Sequence, residues 1–153
     1  MTSAGNPPSS FVLLQLGTRR FALPAEIVTE LAPPVRLHAF PHSSAMLSGV
    51  IVRRARIIPV YDPRSVLLGR PSSTNRFYLI ARREFGQGSE LSAIPVDGEC
   101  ELVSGELRPG TGQASYVKGR VAVGEDLIEV LDLEALVTQP PGGDGAKQLE
   151  VGS

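Results

Sequence analysis

Apolar residues in this chain come in short runs, each closed off within a few positions by Gly, Pro or Ser. The runs are Phe11–Leu16, Phe21–Leu23, Gly49–Val52, Ile57–Tyr61, Phe77–Ala81, Leu91–Val96, Val121–Val123 and Leu127–Leu131. Runs of this length, rich in Val and Ile and bounded by turn formers, predict β-strands. No long stretch repeats its apolar positions at helical spacing, so the expected class is mostly β. Two short helices are expected, each directly after a strand. Asp62-Pro63-Arg64-Ser65-Val66-Leu67-Leu68-Gly69 places Asp as N-cap, Pro at the first helical position and Gly just past the end. Asp132-Leu133-Glu134-Ala135-Leu136-Val137 opens on the same cap, with acid in the first turn. Gly86-Gln87-Gly88 lacks the Lys and following helix of a phosphate loop and reads as a hairpin turn. Residues 1–10 and 139–153 are small, polar and rich in Pro or Gly, and are expected to be disordered tails around a folded region, 11–138.

The two helix signals belong to a longer likeness. Gly49, Ile58 and Val60-Tyr61-Asp62 match Gly119, Ile128 and Val130-Leu131-Asp132 at one offset; Ala22-Leu23-Pro24 and Glu30-Leu31 match Ala93-Ile94-Pro95 and Glu101-Leu102 at an offset one larger. Ordered matches at near-constant offset indicate a duplicated unit, with halves of about 11–70 and 76–138. About five short strands per unit suit a small barrel, which removes exposed edges, with its helix closing one open end and a joint apolar seam between the two barrels. The competing arrangement is a single β-sandwich with coincidentally similar halves.

Composition narrows the function. Over 153 residues, 42% are hydrophobic and 20% charged, ordinary globular values. Lys and Arg number 15 against 16 Asp and Glu, so no basic excess marks a dedicated nucleic-acid binder. A single Cys makes neither an internal disulfide nor a Cys-based zinc site, which suits a reducing compartment. The opening MTSAGNPPSS shows no secretory signal, and every apolar run is far shorter than the ~20 residues of a membrane span, so a cytoplasmic protein without membrane insertion is expected. His38 and His42 are four apart but straddle Pro41, and no His neighbours Cys100, so no metal site, cofactor or catalytic residue is expected.

The ordered motifs resemble the CheW-like chemotaxis coupling family. Phe11-Val12-Leu13-Leu14-Gln15-Leu16-Gly17 with Arg20-Phe21-Ala22-Leu23-Pro24 is similar to its opening hairpin, and Val28-Thr29-Glu30-Leu31 to its Val-x-Glu-Ile segment. Gly49-Val50-Ile51-Val52-Arg53-Arg54-Ala55-Arg56-Ile57-Ile58-Pro59-Val60-Tyr61-Asp62-Pro63-Arg64 resembles its signature, Gly-Val-Ile-Asn-Leu-Arg-Gly-x-Ile-Ile-Pro-Val-Ile-Asp-Leu-Arg. The likeness covers Phe11 to Val137. It implies two five-stranded SH3-like barrels and a non-catalytic adaptor that binds the cytoplasmic tip of chemoreceptors and the regulatory domain of a histidine kinase. The alternative is a double-barrel ligand- or nucleic-acid-binding module in which Arg53, Arg54 and Arg56 contact phosphates.

The resemblance also nominates partner-binding residues: Val28, Glu30, Gly49, Val52, Arg53 and Arg54. Glu30 and Arg54 match positions that pair across the groove between barrels, or else are two independent surface charges. Val28 is an exposed anchor or a core valine; Gly49 admits a partner's backbone or simply starts a strand. Val52-Arg53-Arg54-Ala55 departs from Asn-Leu-Arg-Gly, predicting an altered hairpin tip and an Arg53 that must reach water or a carboxylate.

Overall fold

The sequence's apolar runs fold as strands, with glycines at most of the tight turns. The structure is a computed structural model and describes residues 8–39, 46–69, 77–110 and 114–138. In chain order the strands are β1 (Ser9–Leu16), β2 (Arg19–Pro24), β3 (Val28–Ala32), β4 (His38–Ala39), β5 (Leu47–Arg53), β6 (Arg56–Tyr61), β7 (Phe77–Phe85), β8 (Gly88–Val96), β9 (Glu101–Gly105), β10 (Val117–Val123) and β11 (Asp126–Leu131). Helices α1 (Arg64–Leu68) and α2 (Leu133–Val137) follow β6 and β11. β1 starts at Ser9, so Ser9 and Ser10, placed in the tail by composition, pair with Gly105 and Ser104. The expected tail at 139–153 lies outside the described residues.

Two sheets form, ordered β10-β11-β2-β1-β9 and β3-β7-β8-β6-β5-β4. They build the two SH3-like barrels, and the duplication is visible in the pairing. The β5–β6 ladder sets Gly49 against Val60 after a bulge, and the β10–β11 ladder sets Gly119 against Val130 after a bulge. Each sheet has one parallel bridge, Val60 to Ala93 in one and Val130 to Ala22 in the other.

The barrels do not divide at the expected boundary between 11–70 and 76–138. Hairpin β1–β2 of the first half sits in the sheet of β9, β10 and β11, and hairpin β7–β8 of the second half sits with β3 to β6. The physical reason lies in side-chain alternation. Phe11, Leu13 and Ala22 point into one barrel with Val121, Ile128 and Val130, while Leu14, Leu16, Phe21 and Leu23 point the other way. Tyr78, Ile80 and Ala93 fill the other barrel with Ala32, Ile51, Ile58 and Val60, and Leu79, Ala81, Ile94 and Val96 face outward from it. Both hairpins are apolar on both faces and serve as shared walls, one face in a barrel and one in the seam.

That seam is the third core, and it rules out the single-sandwich arrangement. The helices pack into it through Leu67, Leu133 and Leu136, rather than stoppering their own barrels as expected. α2 begins as predicted, Asp132 accepting from the Ala135 N–H at 3.1 Å. α1 starts one residue later than its Asp suggests: the Pro63 carbonyl accepts from Leu67, and Asp62 turns to Arg64 instead. Arg64 is buried, held by Asp62 through Nε and Nη2 at 2.8 Å each and by Asp97 at 3.0 Å. Asp97 in turn accepts the Gly17 N–H at the β1–β2 turn, so this cluster joins the two barrels at the end of the seam.

Candidate functional site

Where the barrels meet at the surface, β1 and β9 run beside β3 and β7 and leave a shallow groove of about 240 Å³. Its walls are apolar, from Val12, Val28, Leu31, Leu79, Cys100 and the exposed Leu102, with Glu30 and Glu101 at the sides. Two nominated residues, Val28 and Glu30, therefore face one groove. Val28 is half-buried against the central core, both packed and accessible. A bulge between Val28 and Glu30 breaks the β3–β7 ladder, and Thr29 Oγ1 fills the gap by donating to the Ile80 carbonyl at 3.1 Å.

Glu30 is gripped by the β5–β6 hairpin. Arg53 donates Nε and Nη2 to its two carboxylate oxygens at 3.1 and 2.9 Å, a bidentate pair. Arg54 stands at 3.6 Å in a looser contact, its side chain 74% exposed against 20% for Arg53. The partner expected from the resemblance was Arg54; the first claim on Glu30 belongs to Arg53. Alternation explains it: Arg53 shares the inward face of β5 with Ile51, so at the barrel rim its side chain curls toward β3. The hydrogen bonds from Arg53 hold the Glu30 carboxyl below the usual glutamate range.

The hairpin tip is a two-residue turn, with Arg54 and Ala55 both left-handed at φ 54° and 64°. It therefore holds a Cβ at two positions where glycine is preferred. Just below it Val52 and Ile57 pair across the strands, 51% and 72% exposed, an apolar patch beside Arg54 and Arg56.

Gly49 serves its own chain. It is buried beneath β4, and a Cβ there would collide with the His38 carbonyl. Gly119 repeats this beneath the Arg108 carbonyl. The close backbone approach foreseen at Gly49 is therefore intramolecular.

Sequence reasoning missed Leu102, read only as half of a Glu-Leu match. The buried Arg64 pair was also not anticipated, although Asp62 two positions earlier was a sign of it. Tyr61, the aromatic nearest the arginines in sequence, lies under the Arg83 guanidinium at 5.5 Å rather than at the tip. The Cys100 thiol is pushed up to about 11 by burial, which removes it as a nucleophile. Among the described residues no group of His, Cys, Asp or Glu is arranged to hold a metal, and His42 lies outside them. No helix among them is long and apolar enough to cross a membrane.

Residues 10–140 match the model of the CheW-like domain family. No curated protein sequence matches this chain. The crystal structure of the scaffolding protein TtCheW from Thermoanaerobacter tengcongensis superposes with a TM-score of 0.73 at 20% identity, covering 90% of this chain and 96% of that one, which shows a common fold. Duplicated strand order, double barrel and family match agree: the chain belongs to the CheW-like domain family, the non-catalytic scaffolds of chemotaxis signalling.

Proposed function

We propose that this protein works in the cytoplasm as a coupling adaptor, holding the cytoplasmic tip of a chemoreceptor and the regulatory domain of a histidine kinase together. The observation that carries the reading is the composite groove. It needs both barrels to exist, its apolar walls are accessible, and its Glu30–Arg53 pair keeps a polar rim in fixed orientation. Such a surface suits a helical segment that lays an apolar stripe on Val28 and Leu102 and sets a polar residue against Arg54. Arg53 is committed to Glu30 and residues 52–57 of the hairpin hold no aromatic, which leaves the phosphate-contacting alternative without a stacking side chain on the hairpin itself.

The test is affinity measurement with a purified receptor tip and, separately, a kinase regulatory domain. Both should bind. Val28→Ser and Arg54→Glu should each weaken the receptor arm by about tenfold while the kinase arm holds. Absence of binding in both arms would end the proposal.

A further inference from the structure

The two barrels carry equivalent clefts with different linings. In each, two parallel strands touch at one bridge and then splay apart. β6 and β8 diverge from Val60–Ala93 toward Arg56 and Ser89, opening a cleft of about 540 Å³ lined by residues 56–59, Arg82 and residues 89–91. β11 and β2 diverge from Val130–Ala22 in the same way, leaving about 420 Å³ lined by residues 126–129, 18–20 and Arg120. Beyond the single bridge neither pair of facing edges is joined as a ladder.

The second cleft is stapled by its own side chains. Arg20 reaches Asp126 at 2.9 Å and Arg19 reaches Glu129 at 3.5 Å, both across the gap. The positions equivalent by the repeat are Leu91 with Arg56 and Glu90 with Pro59 in the first cleft, and neither pair can form an ion pair. Glu90 is held instead by Arg83 at 2.7 Å, and Arg82 by Glu84 at 3.0 Å. Among the described residues Arg56 has no carboxylate within ion-pair distance, and beside it stands Ile57, the most exposed large apolar residue among them. One cleft is closed internally; its twin offers open strand edges, a large apolar side chain and an unmatched positive charge.

We propose that the β6–β8 cleft takes an extended segment of a partner protein as an added strand, one that alternates large apolar with acidic side chains. The facing edges of β6 and β8 supply main-chain hydrogen bonds; Ile57, on the outer face of β6, offers an apolar contact, and Arg56, on the opposite face, the partner for a carboxylate. The stapled cleft is the internal precedent: there an aspartate, Asp126, stands where the open cleft has Arg56, and its partner Arg20 where the open cleft has Leu91. This role is separate from the groove between the barrels and does not depend on receptor or kinase binding.

The probe is a capped hexapeptide alternating glutamate and isoleucine, titrated into the full chain and followed by backbone amide NMR, with a lysine–isoleucine peptide as control. The acidic peptide should shift amides of β6 and β8 and slow their hydrogen exchange; the lysine peptide should not. Arg56→Glu and Ile57→Ser, both at exposed positions that leave the cores intact, should each weaken binding by about tenfold. The double variant Arg20→Leu with Asp126→Arg should open the twin cleft and raise the stoichiometry from one peptide to two. Equal binding of both peptides, shifts confined to β3 and β9, or self-association of the protein that Ile57→Ser abolishes would overturn the proposal.

Discussion

Ala55 holds a left-handed backbone at φ 64°, a conformation that favours glycine. The Cβ cost of that conformation is roughly 1–2 kcal/mol, partly offset by the extra freedom glycine has when unfolded. Ala55→Gly should therefore stabilise the protein by about 0.5 kcal/mol in denaturant titration, without altering the Arg53–Glu30 pair. That pair makes its own prediction. Because Glu30 is held below the ordinary range, its contribution is complete above the unfolded carboxylate pKa and is lost as pH falls through the lowered value. A carboxyl carbon titration should place Glu30 below a free glutamate, and Arg53→Ala should move it back up; an unchanged midpoint would show the pair does not persist in solution. Arg64 is the opposite case, buried between two carboxylates. Arg64→Leu should cost about 3 kcal/mol in denaturant titration, because Asp62 and Asp97 are then left without their shared cation. Alkylation kinetics should find Cys100 inert at neutral pH and reactive only after unfolding.

At the level of strands and turns, the close passes of β4 over Gly49 and of Arg108 over Gly119 predict matched effects. Gly49→Ala and Gly119→Ala should each cost about 2 kcal/mol or more, since a backbone carbonyl, not a flexible side chain, must move. Most strands could be read from the chain because apolar runs and turn glycines mark them. β3 and β9 could not: Val28-Thr29-Glu30-Leu31 and Glu101-Leu102-Val103 are half-exposed and mix charge with apolar residues, so only their tertiary pairing with β7 and β1 makes them strands. The partner of Glu30 was open to inference, since the parity of Ile51 already puts Arg53, not Arg54, on the inward face. The hairpin exchange was not. Two halves related by one offset look the same whether each hairpin pairs with its own half or the other. The one hint was that Phe11–Leu16 is apolar at nearly every position, as a strand buried on both faces must be.

Because each barrel borrows a hairpin, neither half of the chain contains a complete one. A fragment ending at Gly69 lacks β7 and β8, and one starting at Phe77 lacks β1 and β2. Each should be unfolded alone by circular dichroism, and an equimolar mixture should regain the strand signal; a folded isolated half would contradict the exchange. The groove inherits this dependence. It exists only where β1 and β9 of one barrel meet β3 and β7 of the other, so any change that loosens the seam should weaken groove ligands without touching a groove residue.

The exchange also sets when the protein can take shape during synthesis. Hairpin β1–β2 leaves the ribosome before its neighbours β9 and β11 are made, and Ala22 can meet Val130 only after β11 has emerged. Until then a segment apolar on both sides waits without cover, and its slow long-distance closure makes the nascent chain more prone to aggregate than the finished one.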